Sequence, residues 1–244
     1  MMIELIFLGI GVGLLSGFFG IGGGTILVPL LLLLGYSIKE AIGISVVQML
    51  FSSLYGSYLN NKKGTLDVPM VFTIGIGGFV GALFSGFLTS LFSDLALELI
   101  FLAFALFALS RLFYKTSIDV EQKELNRVVL FVIGFFVGLL SMLIGVGGSI
   151  ILVPILVSFL HVDIKKAISA GLFFVVFSSV SGVISHTLSR DIDFFSGIVI
   201  GVASLIGVYV GIFLKDSVDS VLQKKLLAGF YLLIVIYLIQ RILF

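Results

Sequence analysis

A run of 18 or more residues with hardly a charge has no stable place in water, and this chain holds several, Val68 to Phe92 and Leu130 to Phe159 among them. A helix needs about 20 such residues to cross the hydrocarbon core of a bilayer, so these runs read as membrane-spanning helices. Composition agrees, with 60% of residues apolar and 11% charged, a balance outside the range of soluble domains. At about 20 residues per span, the length leaves room for roughly eight segments and almost no soluble domain. The formal net charge of +1 provides no basic patch for nucleic acid. Cysteine is absent, which removes disulfides and thiolate chemistry, and no cofactor or metal is expected. The first apolar segment, from Ile3, has no basic n-region and no A-x-A cleavage site, so it is expected to be a mature span rather than a signal peptide.

The chain also repeats itself. Gly9 to Pro29 (GIGVGLLSGFFGIGGGTILVP) laid over Gly134 to Pro154 (GFFVGLLSMLIGVGGSIILVP) at a shift of 125 is identical at 13 of 21 positions. After one inserted residue the shift becomes 126 and pairs Lys39 with Lys165, Ser52 and Ser53 with Ser178 and Ser179, Gly56 with Gly182, and Asp67 with Asp193. Apolar composition alone does not reproduce the spacing of glycines, serines and proline, so an internal duplication is the reading. Each half is a glycine-interrupted segment followed by three ordinary spans: 3–36, 40–60, 68–91 and 95–114, then 128–160, 166–188, 192–214 and 221–243. The expected organisation is a first membrane repeat over 1–114, a polar linker over 115–127 in the cytoplasm, and a second repeat over 128–244.

The interrupted segments decide the topology. If each crosses the bilayer, the repeats are parallel and the cations divide eight against six between the two faces. If each dips in and returns, the repeats are inverted, and Lys62, Lys63, Arg111, Lys115, Lys123, Arg127, Lys165, Lys166, Lys215, Lys224 and Lys225 share one face. Only Lys39, Arg190 and Arg241 then lie opposite. The second division obeys the positive-inside rule. The expected fold is therefore an all-α integral membrane protein of two inverted four-segment repeats. Each repeat holds a re-entrant helical hairpin plus three transmembrane helices, in the cell inner membrane with both termini outside.

The chemistry is expected at the hairpin tips, Gly20 to Thr25 and Gly145 to Ile150. Non-helical backbone at membrane depth must face protein or a wet cavity. Short helices starting there point free N–H groups and a positive dipole end inward, which suits an anion. Gly22, Gly23, Gly24, Thr25, Gly147, Gly148 and Ser149 are thus candidate substrate-binding residues. The other reading of the glycines is close helix packing, and tip carbonyls could instead hold a cation. Gln48, Ser52 and Ser178 on the following spans are further candidates, Gln48 foremost because a mid-span amide needs partners. His186 is a candidate proton relay or simply an interfacial histidine. Asp67 and Asp193 open helices, where a capping role is sufficient.

The motif GGG-T-x-L-V-P, its GG-S-I-x-L-V-P echo and a length near 250 residues resemble the TauE/SafE family of sulfite and organosulfonate exporters. The resemblance covers Gly20 to Pro29, Gly145 to Pro154 and essentially the whole chain. It implies a permease for small sulfur oxyanions such as sulfite, sulfoacetate or thiosulfate, driven by an ion gradient with proton or sodium as the coupling ion. The functional expectation is alternating-access transport of a small anion. The alternatives are a passive anion channel and an intramembrane hydrolase with Ser149 as nucleophile and His186 as base. No G-x-S-x-G elbow or Walker lysine supports the hydrolase.

The charge division makes a prediction. Single cysteines in Thr116→Cys and Asp219→Cys should be shielded from an impermeant thiol reagent in intact cells; ready labelling of either would overturn the assignment of both termini to the outside.

Overall fold

A computed structural model of the chain describes residues 2–64, 68–113, 126–160, 162, 164–189 and 192–243. Most of the 115–127 linker, together with Asp67, lies outside the described residues. All the regular secondary structure of the described residues is helix, with no strand among them. In chain order the helices are α1 (Met2–Phe19), α2 (Gly24–Leu33), α3 (Ile38–Lys62), α4 (Val68–Ala82), α5 (Ser85–Leu91), α6 (Asp94–Phe113), α7 (Arg127–Leu143), α8 (Ser149–Phe159), α9 (Ile164–Ser189), α10 (Phe194–Ser217) and α11 (Ser220–Leu243). Six stretches among the described residues are long and apolar enough to cross a membrane.

Local sequence accounts for the boundaries. Each interrupted segment breaks at its glycines, with Gly20 and Gly22 at φ +67° and +72° and Gly145, Gly147 and Gly148 at +69°, +80° and +86°. These left-handed values end one helix and are open to glycine at little cost. Before α3, Ser37 forms a capping box: its hydroxyl accepts from the Glu40 N–H at 3.3 Å, and its own N–H donates to the Glu40 carboxylate at 2.9 Å. Asp193 caps α10 by accepting from the Ser196 N–H at 3.1 Å. The span expected over 68–91 is split at Leu83–Phe84 into α4 and α5, whereas its repeat counterpart α10 runs unbroken.

Packing is organised by glycine. Along α1, Gly9 meets Ile200 and Ala203, Gly13 meets Ser204 and Gly17 meets Val208; from α10, Gly207 meets Ile10 and Gly211 meets Leu14. The neighbours are mostly backbone atoms, so the two helices touch main chain to main chain and run in the same direction. The same arrangement joins α4 to α7, where Gly77 meets Phe131, Gly81 meets Phe135 and Gly134 meets Ile74. A third helix lies parallel to each pair. α3 follows α10 from Val47 beside Gly197, through Phe51 beside Gly201, to Asn60 beside Lys215. α9 follows α4 and α5 from Phe177 beside Gly75 to Ser181 on the Phe79 carbonyl and Ser185 on the Leu83 carbonyl. Two parallel trios result, α1–α10–α3 and α7–α4/α5–α9, and each takes helices from both halves of the sequence.

The trios meet where α3 crosses α9. Gly56 lies against Leu172 and Val46 against Gly182, so these two repeat-related helices run in opposite directions. α6 and α11, also repeat-related, pack together, and Glu98 in the early part of α6 pairs with Arg241 in the last turn of α11 at 2.9 Å. They too are antiparallel.

Glycines in and out of these seams should respond oppositely to a methyl group. At Gly13 a Cβ would overlap the Ser204 carbonyl, while at Gly229 it would meet nothing within 4 Å. Gly13→Ala is expected to destabilise by about 1–3 kcal/mol, and Gly229→Ala to stabilise α11 by about 0.5–1 kcal/mol. Thermal unfolding in detergent checks both signs.

Candidate functional site

The two helix breaks meet each other in the middle of the protein. Gly24, the first residue of α2, lies so close to the Gly145 carbonyl that a side chain there would overlap it. Three hydroxyls complete the junction by donating to the carbonyls of the second break. Ser45 on α3 donates to Gly145 at 2.7 Å, Thr25 to Val146 at 3.4 Å, and Ser178 on α9 to Gly147 at 3.2 Å. Non-helical carbonyls that a bilayer could not satisfy are thereby paired, each with a side chain from a different helix. Pro29 and Pro154 lie inside α2 and α8. Having no N–H, they also withhold the usual helical donor from the Thr25 and Ile150 carbonyls close to the breaks.

The first break is equipped differently. The Gln48 amide occupies the space a side chain at Gly23 would take. A Cβ at Gly22 would lie 3.5 Å from Val175, 3.7 Å from Met49 and 3.7 Å from Ser149 Oγ. Gln48 and Ser149 are fully buried, and Gln48 Oε1, Gln48 Nε2 and Ser149 Oγ have no hydrogen-bond partner. Such groups cost about 1–3 kcal/mol each when left unpaired. They stand at the amino ends of α2 and α8, where the first N–H groups have no partner within the helix and the dipole is positive. The wall therefore presents donors from two helix ends, Gln48 and Ser149, and among the described residues no carboxylate belongs to it.

The structure places the expected residues as follows. Gly22, Gly23, Gly24, Thr25, Gln48, Gly147, Gly148, Ser149 and Ser178 gather at the junction, all buried. Within this set Gly24 acts as a contact point. Ser52 turns back onto its own helix, donating to the Met49 carbonyl at 3.3 Å. His186 lies apart, eight residues beyond Ser178 and so about 12 Å along α9. Its Nε2 is 3.2 Å from the Met142 carbonyl and 3.5 Å from Ser85 Oγ. A nucleophile–base bond between Ser149 and His186 is not made.

Sequence reasoning missed a buried lysine. Lys215 is in the last turn of α10, where a cation reads as interfacial, yet it is 1% exposed and donates to Asn60 Oδ1 at 3.2 Å. The repeat contains the signal. At a shift of 126, Asn60 pairs with His186 and Thr89 with Lys215, and Thr89 is likewise buried, donating to the Leu143 carbonyl at 3.0 Å. Each trio thus has a polar contact at the same relative place.

Residues 5–238 match the family described as Sulfite exporter TauE/SafE. A protein of Methanocaldococcus jannaschii named a probable membrane transporter protein is 30% identical over 192 residues, covering 75% of this chain and 71% of that protein. Two proteins of Bacillus subtilis carry the same description. YdhB is 28% identical over 221 residues, 87% of this chain and 90% of its own, and YunE is 26% identical over 250 residues, 91% and 90%. No solved structure matches the chain.

The junction predicts a structural role for Ser45. Ser45→Ala removes the donor to the buried Gly145 carbonyl and should lower stability by about 1–3 kcal/mol, read as a lower unfolding temperature of the purified protein.

Proposed function

As a member of the sulfite exporter TauE/SafE family, this chain is a multi-pass membrane transporter, and we propose that its cargo is a small anion, a sulfur oxyanion such as sulfite, thiosulfate or sulfoacetate, carried by alternating access. The observation that carries the proposal is the pair of fully buried, partnerless polar side chains, Gln48 and Ser149, at the amino ends of two helices. Helix amino ends and neutral donors favour negative charge. A fixed cation is not required for modest affinity. Enclosure of the junction favours a carrier over an open channel, since a continuous pore keeps its lining wet.

The repeats are proposed to be inverted. Antiparallel packing of α3 on α9 and of α6 on α11 supports a two-fold axis perpendicular to the helices, because repeat-related helices point in opposite directions only about such an axis. In each half, the helices before and after the short arm are parallel, α1 with α3 and α7 with α9. The arm α2 or α8 then returns toward the side from which the chain came, the re-entrant course. Lys63, on the Ile212 carbonyl, and Lys215 occupy one end of the first trio. With the eleven-to-three charge division, that end is assigned to the cytoplasm and both termini to the outside of the inner membrane. If the coupling ion is a proton, His186 is the relay candidate.

The test is binding and flux with purified protein. One of sulfite, thiosulfate or sulfoacetate should raise the unfolding temperature, because a ligand bound only by the native state stabilises it. Flux into vesicles should saturate and be accelerated by solute on the far side. Ser149→Ala should weaken binding by about 1–2 kcal/mol and Ser149→Asp should eliminate it. Unsaturable flux would make the protein a channel. Wild-type affinity in Ser149→Asp would place the site elsewhere.

A further inference from the structure

Duplication produced two breaks, and the structure treats them unequally. The second is sealed: the Gly145, Val146 and Gly147 carbonyls accept from Ser45, Thr25 and Ser178. Beside Gly148, the Phe174 ring stands 2.5 Å and Ser141 Oγ 2.8 Å from where a Cβ would lie. Phe174 is the repeat counterpart of Gln48, at a shift of 126. One half therefore presents an amide to its tip and the other an aromatic ring, at the same backbone position.

Unpartnered polar atoms cluster at the first break. Gln48 faces Gly23 and Ser149 Oγ borders Gly22, and both lack partners. Ser16 Oγ on α1 is also fully buried and partnerless, whereas its counterpart Ser141 bonds the Val137 carbonyl. Ser149 belongs to the second half by sequence, but it serves the first tip because the breaks interlock.

From this imbalance we propose that the chain binds a single anion, seated on the first tip, with Gln48 as the residue that specifies it and Phe174 closing the equivalent place on the second. The proposal rests on the anion-carrier reading and adds stoichiometry, location and a specificity residue. With its partnerless amide turned so that Nε2 instead of Oε1 is nearest Gly23, Gln48 offers N–H groups to the anion's oxygens beside the amino end of α2. Val175 and Met49, at the repeat-related positions between the tips, supply an apolar wall. The site is thus two-faced, and a sulfur oxyanion whose oxygens gather at one end fits it better than symmetric sulfate. An alkanesulfonate outranks sulfate.

Titration of the purified full chain with ethanesulfonate, sulfite and sulfate, followed calorimetrically, tests this. Wild type should bind one equivalent, ethanesulfonate more tightly than sulfate. Gln48→Met and Gln48→Leu should each lose at least tenfold in affinity. The unfolding temperature of the ligand-free variants should rise by about 2–4 °C, because an unsatisfied buried amide has been removed. A purely structural Gln48 would lower it. Phe174→Leu should keep affinity within about twofold. Two equivalents per chain, wild-type affinity in the Gln48 variants, lowered stability in those variants, sulfate preferred to ethanesulfonate, or lost binding in Phe174→Leu would overturn the proposal. Absence of binding by any of the anions to wild type would instead overturn the anion-carrier reading beneath it.

Discussion

A peptide group without a hydrogen bond is the one thing the interior of a bilayer does not tolerate, and this chain interrupts two helices in the middle of apolar segments. Its solution is to bring the interruptions together. The carbonyls of the second break are then met by hydroxyls from α2, α3 and α9. That meeting demands glycine at Gly24, because the Gly145 carbonyl stands where a side chain would go. It also demands left-handed backbone at Gly22 and Gly147. Much of the remaining structure can be traced to it: α3 and α9 must cross beside the breaks to deliver Ser45 and Ser178, and α1 and α7 must lead into them.

The glycine seams then divide the protein into parts of different stiffness. In the α1–α10 and α4–α7 seams, backbone lies against backbone with no side chain to rearrange. Across α3 and α9, by contrast, Leu172 and Val46 fill the space beside the facing glycines, and side chains can change rotamer at modest cost. The crossing is also where the breaks lie, and there the trios are joined by Ser45, Thr25 and Ser178 on the carbonyls of the second break. Neither sequence half contains a complete trio, since α1 needs α10 and α7 needs α4. The duplicated halves therefore depend on each other for packing.

Much of this was legible in the sequence. The repeat predicted equivalent helices. The glycine clusters predicted where the helices break, because left-handed backbone is the conformation that glycine alone adopts freely and an apolar segment has little other use for such a cluster. Gln48 stood out because an amide in mid-span has no solvent to satisfy it. What stayed hidden depended on contacts between distant segments. Gly24 reads as part of a binding loop until the Gly145 carbonyl is seen against it. The split at Leu83–Phe84 carries no proline, and its counterpart in α10 is continuous, so neither local chemistry nor the repeat signals it. Lys215 at a helix end looks interfacial, and only the contact with Asn60 on α3 shows it as a buried lysine. The pairing of Gln48 with Phe174 was available from the alignment of the two halves, but its meaning required knowing that both face a tip.

With an anion as the proposed cargo, electrostatics gives the asymmetry of the tips a reason. The breaks touch at Gly24 and Gly145, so anions on both tips would be close neighbours; a spacing of about 5–8 Å serves for the estimate. At an effective dielectric constant of about 20, two like unit charges at that spacing repel by roughly 2–3 kcal/mol. That exceeds the net worth of a typical hydrogen bond, about 0.5–1.5 kcal/mol. A symmetric pair of polar tips would therefore work against itself, the first anion weakening the second by well over tenfold. Placing the amide on one side and a phenyl ring on the other removes the competition. On the single-anion proposal the second tip is relieved of binding and has its carbonyls paired, so that it supports the first, where Gln48 and Ser149 have no partner.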